Sequence, residues 1–186
     1  MAIKIYVDQG HNPENPNAGA EGNGLLEQNI TYRVGEELAT LLRANANYEV
    51  RLSRPTPETS LGTSNSTSLQ ARVNDANAWG ADYFISIHTN ASSIPSASGV
   101  EAFSYARPSR AFSLGEDIVQ SLSDVTGLSN RGMKVRPGLY VLRRTDMPAV
   151  LVEIGFITNP GDAALMDSDP ALFARGIYNG IVEYLG

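Results

Sequence analysis

With 186 residues, 42% of them hydrophobic and 18% charged, the chain is long enough to bury about two thirds of its unfolded surface in one domain, and its composition excludes the disordered and membrane classes. A formal charge of −6 with a pI near 4.9 leaves no basic surface suited to nucleic acid or an anionic membrane. Cysteine is absent, which rules out thiolate nucleophiles, thiolate metal sites and disulfides together.

Met1 to Val7 shows no basic segment followed by an apolar one, so no secretion signal is expected, and export by other means, release by lysis or trimming would bring the protein to its place of work. Ile3 to Val7 alternates as a strand, and the Gly-, Asn- and Pro-rich stretch Asp8 to Gly24 reads as a long loop. From Leu26, the residues Ile30, Val34, Leu38, Leu41 and Leu42 mark one face of a helix ending near Asn45 to Asn47. Tyr48 to Ser53 is a second strand, and the polar segment Arg54 to Thr67 a surface loop. Ser68 is expected to cap a short helix carrying Leu69, Val73 and Ala76 and stopping at Gly80.

Asp82 to His88 is a strongly apolar strand, and another is expected at Val100 to Tyr105. Leu114, Ile118, Leu122 and Val125 line a third helix closed by Gly127, and strands are expected at Leu139 to Arg143 and Ala149 to Ile154. Asn159-Pro160 and Asp169-Pro170 each pair a cap with a proline at the first helical position, so two helices finish the chain. The longest apolar run, Ala149 to Ile157, contains Glu153 and is too short to span a membrane. Alternating strands and helices imply one α/β domain over residues 1–186, its sheet at least partly parallel.

In such sheets the functional crevice lies beyond the carboxyl ends of the strands. The chain has only two histidines, and both fall at such ends: Asp8-Gln9-Gly10-His11 and Ser86-Ile87-His88. A metal site built on them needs a carboxylate as third ligand, and two histidines, a glutamate and a water form a recurrent catalytic zinc set. Glu27, in the first turn of the helix after the His11 loop, is the best placed carboxylate, with Glu14 and Glu21 as alternatives from the loop. Glu153 lies inside an apolar run, where a carboxylate is costly unless paired or functional. Glu101 sits in an alternating strand, could face solvent at no cost, and is read as a possible supporting group beside the site.

The same residues resemble the zinc amidases of the AmiC-type group, the amidase_3 family. The likeness covers Asp8-Gln9-Gly10-His11 with Gly24-Leu25-Leu26-Glu27, then Arg54, Arg72 and Ala81 to Ala91, then Leu139 to Arg143 with Met147 to Asn159. Gln9 stands where the family usually has proline, and Asn12 where glycine is common. The resemblance implies a central sheet of about six strands flanked by helices, one Zn2+ per chain held by His11, Glu27 and His88, and Glu153 as the catalytic proton carrier. It implies hydrolysis of the amide between N-acetylmuramic acid and L-alanine in peptidoglycan, at the cell wall, by an autolysin, a sporulation enzyme or a phage lysin. Neither nucleic acid nor a membrane span enters that reading. The rivals are a zinc peptidase acting within the stem peptide and a catalytically silent wall-binding module.

Overall fold

The computed structural model describes residues 2–186. In chain order the elements are β1 (Ile3–Gln9), β2 (Glu21–Gly22), β3 (Leu25–Leu26), α1 (Glu27–Arg43), β4 (Tyr48–Leu52), α2 (Asn65–Trp79) and β5 (Tyr83–Asn90). They continue with β6 (Val100–Ser104), α3 (Arg110–Thr126), β7 (Asn130–Val135), α4 (Tyr140–Arg144), β8 (Ala149–Phe156), α5 (Pro160–Ser168) and α6 (Pro170–Leu185). Six strands form one sheet in the order β4-β1-β5-β8-β6-β7, while β2 and β3 make a small hairpin. β4, β1, β5 and β8 run parallel; β6 is antiparallel to β8, and β7 is parallel to β6. The expected α/β fold with a partly parallel, helix-flanked sheet of six strands is the one formed.

Alternation along the strands separates two cores. Ile5 and Val7, Ile85 and Ile87, and Val150, Val152 and Ile154 pack on one face with the apolar stripes of α1, α3 and α6. Tyr6, Phe84, Phe103 and Leu151 pack on the other with Val73 and Ala76 of α2 and Val141 and Leu142 of α4. Ser86, His88 and Glu153 continue this second alternation, so they stand on the α2/α4 face towards the carboxyl ends of β5 and β8.

Two local expectations need correction, and one strand was not expected. Leu139 to Arg143 is β-rich in composition, yet Tyr140–Arg144 is one helical turn, because adjacent Val141 and Leu142 are both buried and a strand would turn one of them outward. The cap of α2 is Ser64 rather than Ser68: Ser64 Oγ accepts from the Thr67 N–H at 3.1 Å, and Thr67 Oγ1 accepts from the Ser64 N–H at 2.9 Å. Ser68 is instead buried and accepts from Asn17 Nδ2 at 3.0 Å. β7 has no counterpart in the sequence reading, because this edge strand is largely exposed and lacks an apolar alternation.

Helices α3 and α6 approach closely where Gly180 faces Ile118. A Cβ at position 180 would lie 2.4 Å from Ile118 Cα and 2.6 Å from its nitrogen, both backbone atoms that cannot step aside. Gly180→Ala should therefore destabilise the fold by about 1–3 kcal/mol despite the better helix propensity of alanine. Thermal melting checks this, and an unchanged or raised midpoint would contradict the packing.

Candidate metal centre

β1 ends in the buried Asp8 and Gln9, and the chain then turns through His11, whose φ is 70°. A non-glycine residue seldom holds that left-handed conformation unless its surroundings impose it. Here they do. The Arg72 guanidinium, 1% exposed, donates from Nη2 to the His11 carbonyl at 2.6 Å and to Asn12 Oδ1 at 3.2 Å. From Nη1 it reaches Asp8 Oδ1 at 2.7 Å, the Gln9 carbonyl at 2.6 Å and Ser53 Oγ at 3.3 Å. Ser86 Oγ donates to the other Asp8 oxygen at 2.7 Å. Burial pushes the Asp8 carboxyl up, but the Arg72 charge and the hydrogen bonds from Ser86 and Arg72 outweigh it and hold Asp8 below the usual carboxylate range.

Glu27 is the first residue of α1 and only 3% exposed. Each of its oxygens meets one backbone N–H and one imidazole. Oε2 accepts from the Ala20 N–H at 2.8 Å and lies 3.2 Å from His11 Nε2. Oε1 accepts from the Thr89 N–H at 2.9 Å and lies 3.1 Å from His88 Nδ1. Burial alone would raise its pKa; the hydrogen bonds with His11 and His88, and their charges, hold it well below the ordinary range. The two imidazoles stand nearly edge to face, centroids 4.9 Å apart. The chain presses close here: a Cβ on Gly19 would fall 2.8 Å from Glu27 Oε2 and 2.9 Å from His11 Cδ2.

The structure thus brings His11, Glu27 and His88 into one group, with a ligand atom from each within 4.8 Å of the others, as three residues that could hold a metal ion. Two imidazole nitrogens and one carboxylate oxygen are a donor set suited to zinc, and the carboxylate is already fixed by the Ala20 and Thr89 N–H groups. Glu14 and Glu21, the alternatives to Glu27, are exposed and outside the group.

Glu153 of β8 is the register neighbour of His88 on one side and of Glu101 on the other, which sets the three side chains in a row across β5, β8 and β6. Glu153 Oε2 is buried and has no partner among the described residues. Its carboxyl is pushed up to about 8, first by burial and then by the negative charges of Glu27 and Glu101, against the opposing charge of Arg136. Glu101 is buried, accepts from Asn90 Nδ2 at 2.7 Å, and pairs with Lys134 and with Arg131. A cavity of about 130 Å³ beside the two histidines is lined by Gly10, Leu69, Tyr140, Val141 and Leu151 among others. The structural part of Arg72, a buried cation holding a backbone turn, leaves no periodic trace in the sequence and was legible only as part of the family likeness.

Residues 5–183 match the model of the Amidase_3 family, described as N-acetylmuramoyl-L-alanine amidase. The chain is 37% identical over 185 residues to the N-acetylmuramoyl-L-alanine amidase CwlM of Bacillus licheniformis, covering 97% of this chain and 68% of that protein. It is 37% identical over 188 residues to the amidase LytC of Bacillus subtilis, with 97% and 35% covered. Among solved structures, the CwlD amidase from Clostridioides difficile, in complex with the GerS lipoprotein, superposes with a TM-score of 0.90 at 26% identity, with 98% of each chain covered.

The Asp8–Arg72 pair makes its own prediction. Removing one partner of a buried ion pair strands the other, so Arg72→Met should cost about 3–5 kcal/mol in urea unfolding. Because the folded-state pKa of Asp8 is depressed, its stabilisation is complete above the ordinary value of about 4 and is lost as pH falls through the lower folded value. The wild-type urea midpoint should therefore drop more steeply below pH 4 than that of the variant. Parallel acid profiles would remove the pair from the account.

Proposed function

Because the chain belongs to the Amidase_3 family of N-acetylmuramoyl-L-alanine amidases, we propose that residues 1–186 act as a zinc-dependent catalytic domain. It cleaves the amide between N-acetylmuramic acid and L-alanine in peptidoglycan. The observation that carries this reading is the convergence of His11 and His88, near the ends of β1 and β5, with Glu27 at the start of α1, beside the unpartnered Oε2 of Glu153. The place of action is accordingly the cell wall, and no helix among the described residues is long and apolar enough to cross a membrane.

In the reaction a water oxygen attacks the lactyl carbonyl carbon, the carbon–nitrogen bond breaks, and a carboxylate and the free amine of L-alanine result. A zinc ion held by His11, Glu27 and His88 would polarise that carbonyl and lower the pKa of the attacking water to about 7. Glu153 takes the proton from the water and returns it to the departing nitrogen. A carboxyl already raised by burial and by two acidic neighbours suits both halves of that task, since a proton carrier works best with a pKa near the working pH. Glu27 holds its geometry through the Ala20 and Thr89 N–H groups, so both imidazoles meet a carboxylate that does not swing.

Digestion of purified wall should release free L-alanine amino groups without new sugar reducing ends, as read by mass spectrometry of the products. New reducing ends, or fragments beginning inside the stem peptide, would reject this bond. A chelator should abolish the activity and added zinc restore it. Glu153→Gln should fold, keep its zinc and lose about two or more orders of magnitude in rate. Glu27→Gln should instead lose metal and regain activity in part with excess zinc. An active Glu153→Gln, or one that no longer holds metal, would overturn the division of roles.

A further inference from the structure

We infer that Arg136, standing on the site face of the sheet, grips a free carboxylate of the stem peptide and makes the enzyme prefer acidic over amidated peptides. This rests on the amidase reading above and adds to it a recognition element on the same face of the sheet as Glu153, one strand beyond Leu151 and further from the strand ends.

The placement comes from strand register. Glu101 is opposite Glu153 and Phe103 opposite Leu151, so Phe103 lies on the face that carries Glu153 and on the row that walls the cavity beside the two histidines. Phe103 is also in register with Lys134, and the Arg136 N–H donates to the Ser104 carbonyl at 2.9 Å, which carries β7 onward past the end of β6. The Arg136 guanidinium then lies over the Phe103 ring, 5.0 Å from its centroid. An aromatic face under a guanidinium fixes its plane and leaves the edge donors free, the arrangement that meets a carboxylate with two parallel hydrogen bonds.

Its neighbours are already engaged. Arg131 and Lys134 both bind Glu101, whereas the Arg136 side chain is exposed and makes no ion pair or hydrogen bond among the described residues. The surroundings are unusual for this chain. Residues 125–145 hold Arg131, Lys134, Arg136, Arg143 and Arg144, five of the chain's 14 Lys and Arg, with no Asp or Glu, in a protein of net charge −6. This run of cations gives the β7 side of the sheet a local positive charge that an acidic peptide would meet.

The test uses two muramyl peptides that share the scissile bond, one with its stem carboxylates free and one with them amidated. The wild type should favour the acidic form in kcat/KM by about tenfold or more, the scale of a charge-assisted hydrogen bond. Arg136→Gln should erase the preference by raising KM for the acidic form while kcat holds and the amidated form changes less than about threefold. Arg136→Lys, which keeps the charge and loses the paired geometry, should retain part of it. A wild type without preference would overturn the inference alone. Equal losses on both substrates would overturn it too, by making Arg136 act through Glu153. A wild type that cuts neither peptide would remove the amidase reading along with it.

Discussion

The guanidinium of Arg72 is buried on the α2/α4 side of the sheet, where it donates to Asp8, Gln9, Ser53, His11 and Asn12. A charge in that position is tolerable because Asp8 balances it and the Gln9 and His11 carbonyls, the Ser53 hydroxyl and the Asn12 amide oxygen accept from its two Nη groups, only the Nε–H being left without a partner among the described residues. The same bonds that satisfy it fix the end of β1, the start of the loop after β4 and the left-handed turn at His11. The group of His11, Glu27 and His88 therefore depends on α2, which contributes no side chain to it. Without this clamp His11 would relax towards an ordinary backbone conformation and its ring would leave the Glu27 carboxylate.

What the chain discloses before folding follows from where its chemistry is local. The two histidines could be found because each ends a β-rich run, and strand ends in an α/β sheet are where polar groups gather. Glu153 betrayed itself by interrupting an apolar run. Glu27 could not be separated from Glu14 and Glu21 by spacing alone, since the choice turns on the β2–β3 hairpin, two residues per strand, which folds the loop back to bring the Ala20 N–H against the carboxylate. The turn of α4 was hidden for a related reason: its β-rich residues are overruled by the need to bury Val141 and Leu142 together. β7 was invisible because an exposed edge strand needs no apolar face.

The antiparallel insertion of β6 beside β8 is what gives the crevice its acidic row. Had the strand next to β8 been another parallel one, its carboxyl end would have pointed the same way. Instead the amino end of β6 arrives there and delivers Glu101 opposite Glu153. The negative charge of Glu101 raises the cost of ionising Glu153, and Lys134 and Arg131 pair with Glu101 only. The asymmetry leaves Glu101 tied to two cations and the buried Glu153 Oε2 without a partner among the described residues.

The buried side chain of Asn12 accepts from the Leu61 N–H at 3.1 Å while donating to the Pro16 and Leu61 carbonyls at 2.8 and 2.9 Å. Two loops that lie some fifty positions apart are thereby sewn into a single surface unit. For anyone exchanging segments between relatives, the consequence is one of modularity: the segment around Asn12 and the one around Leu61 form a matched set. Grafting either alone would leave the Asn12 amide and the Leu61 N–H and carbonyl without their partners, whereas grafting both keeps all three paired.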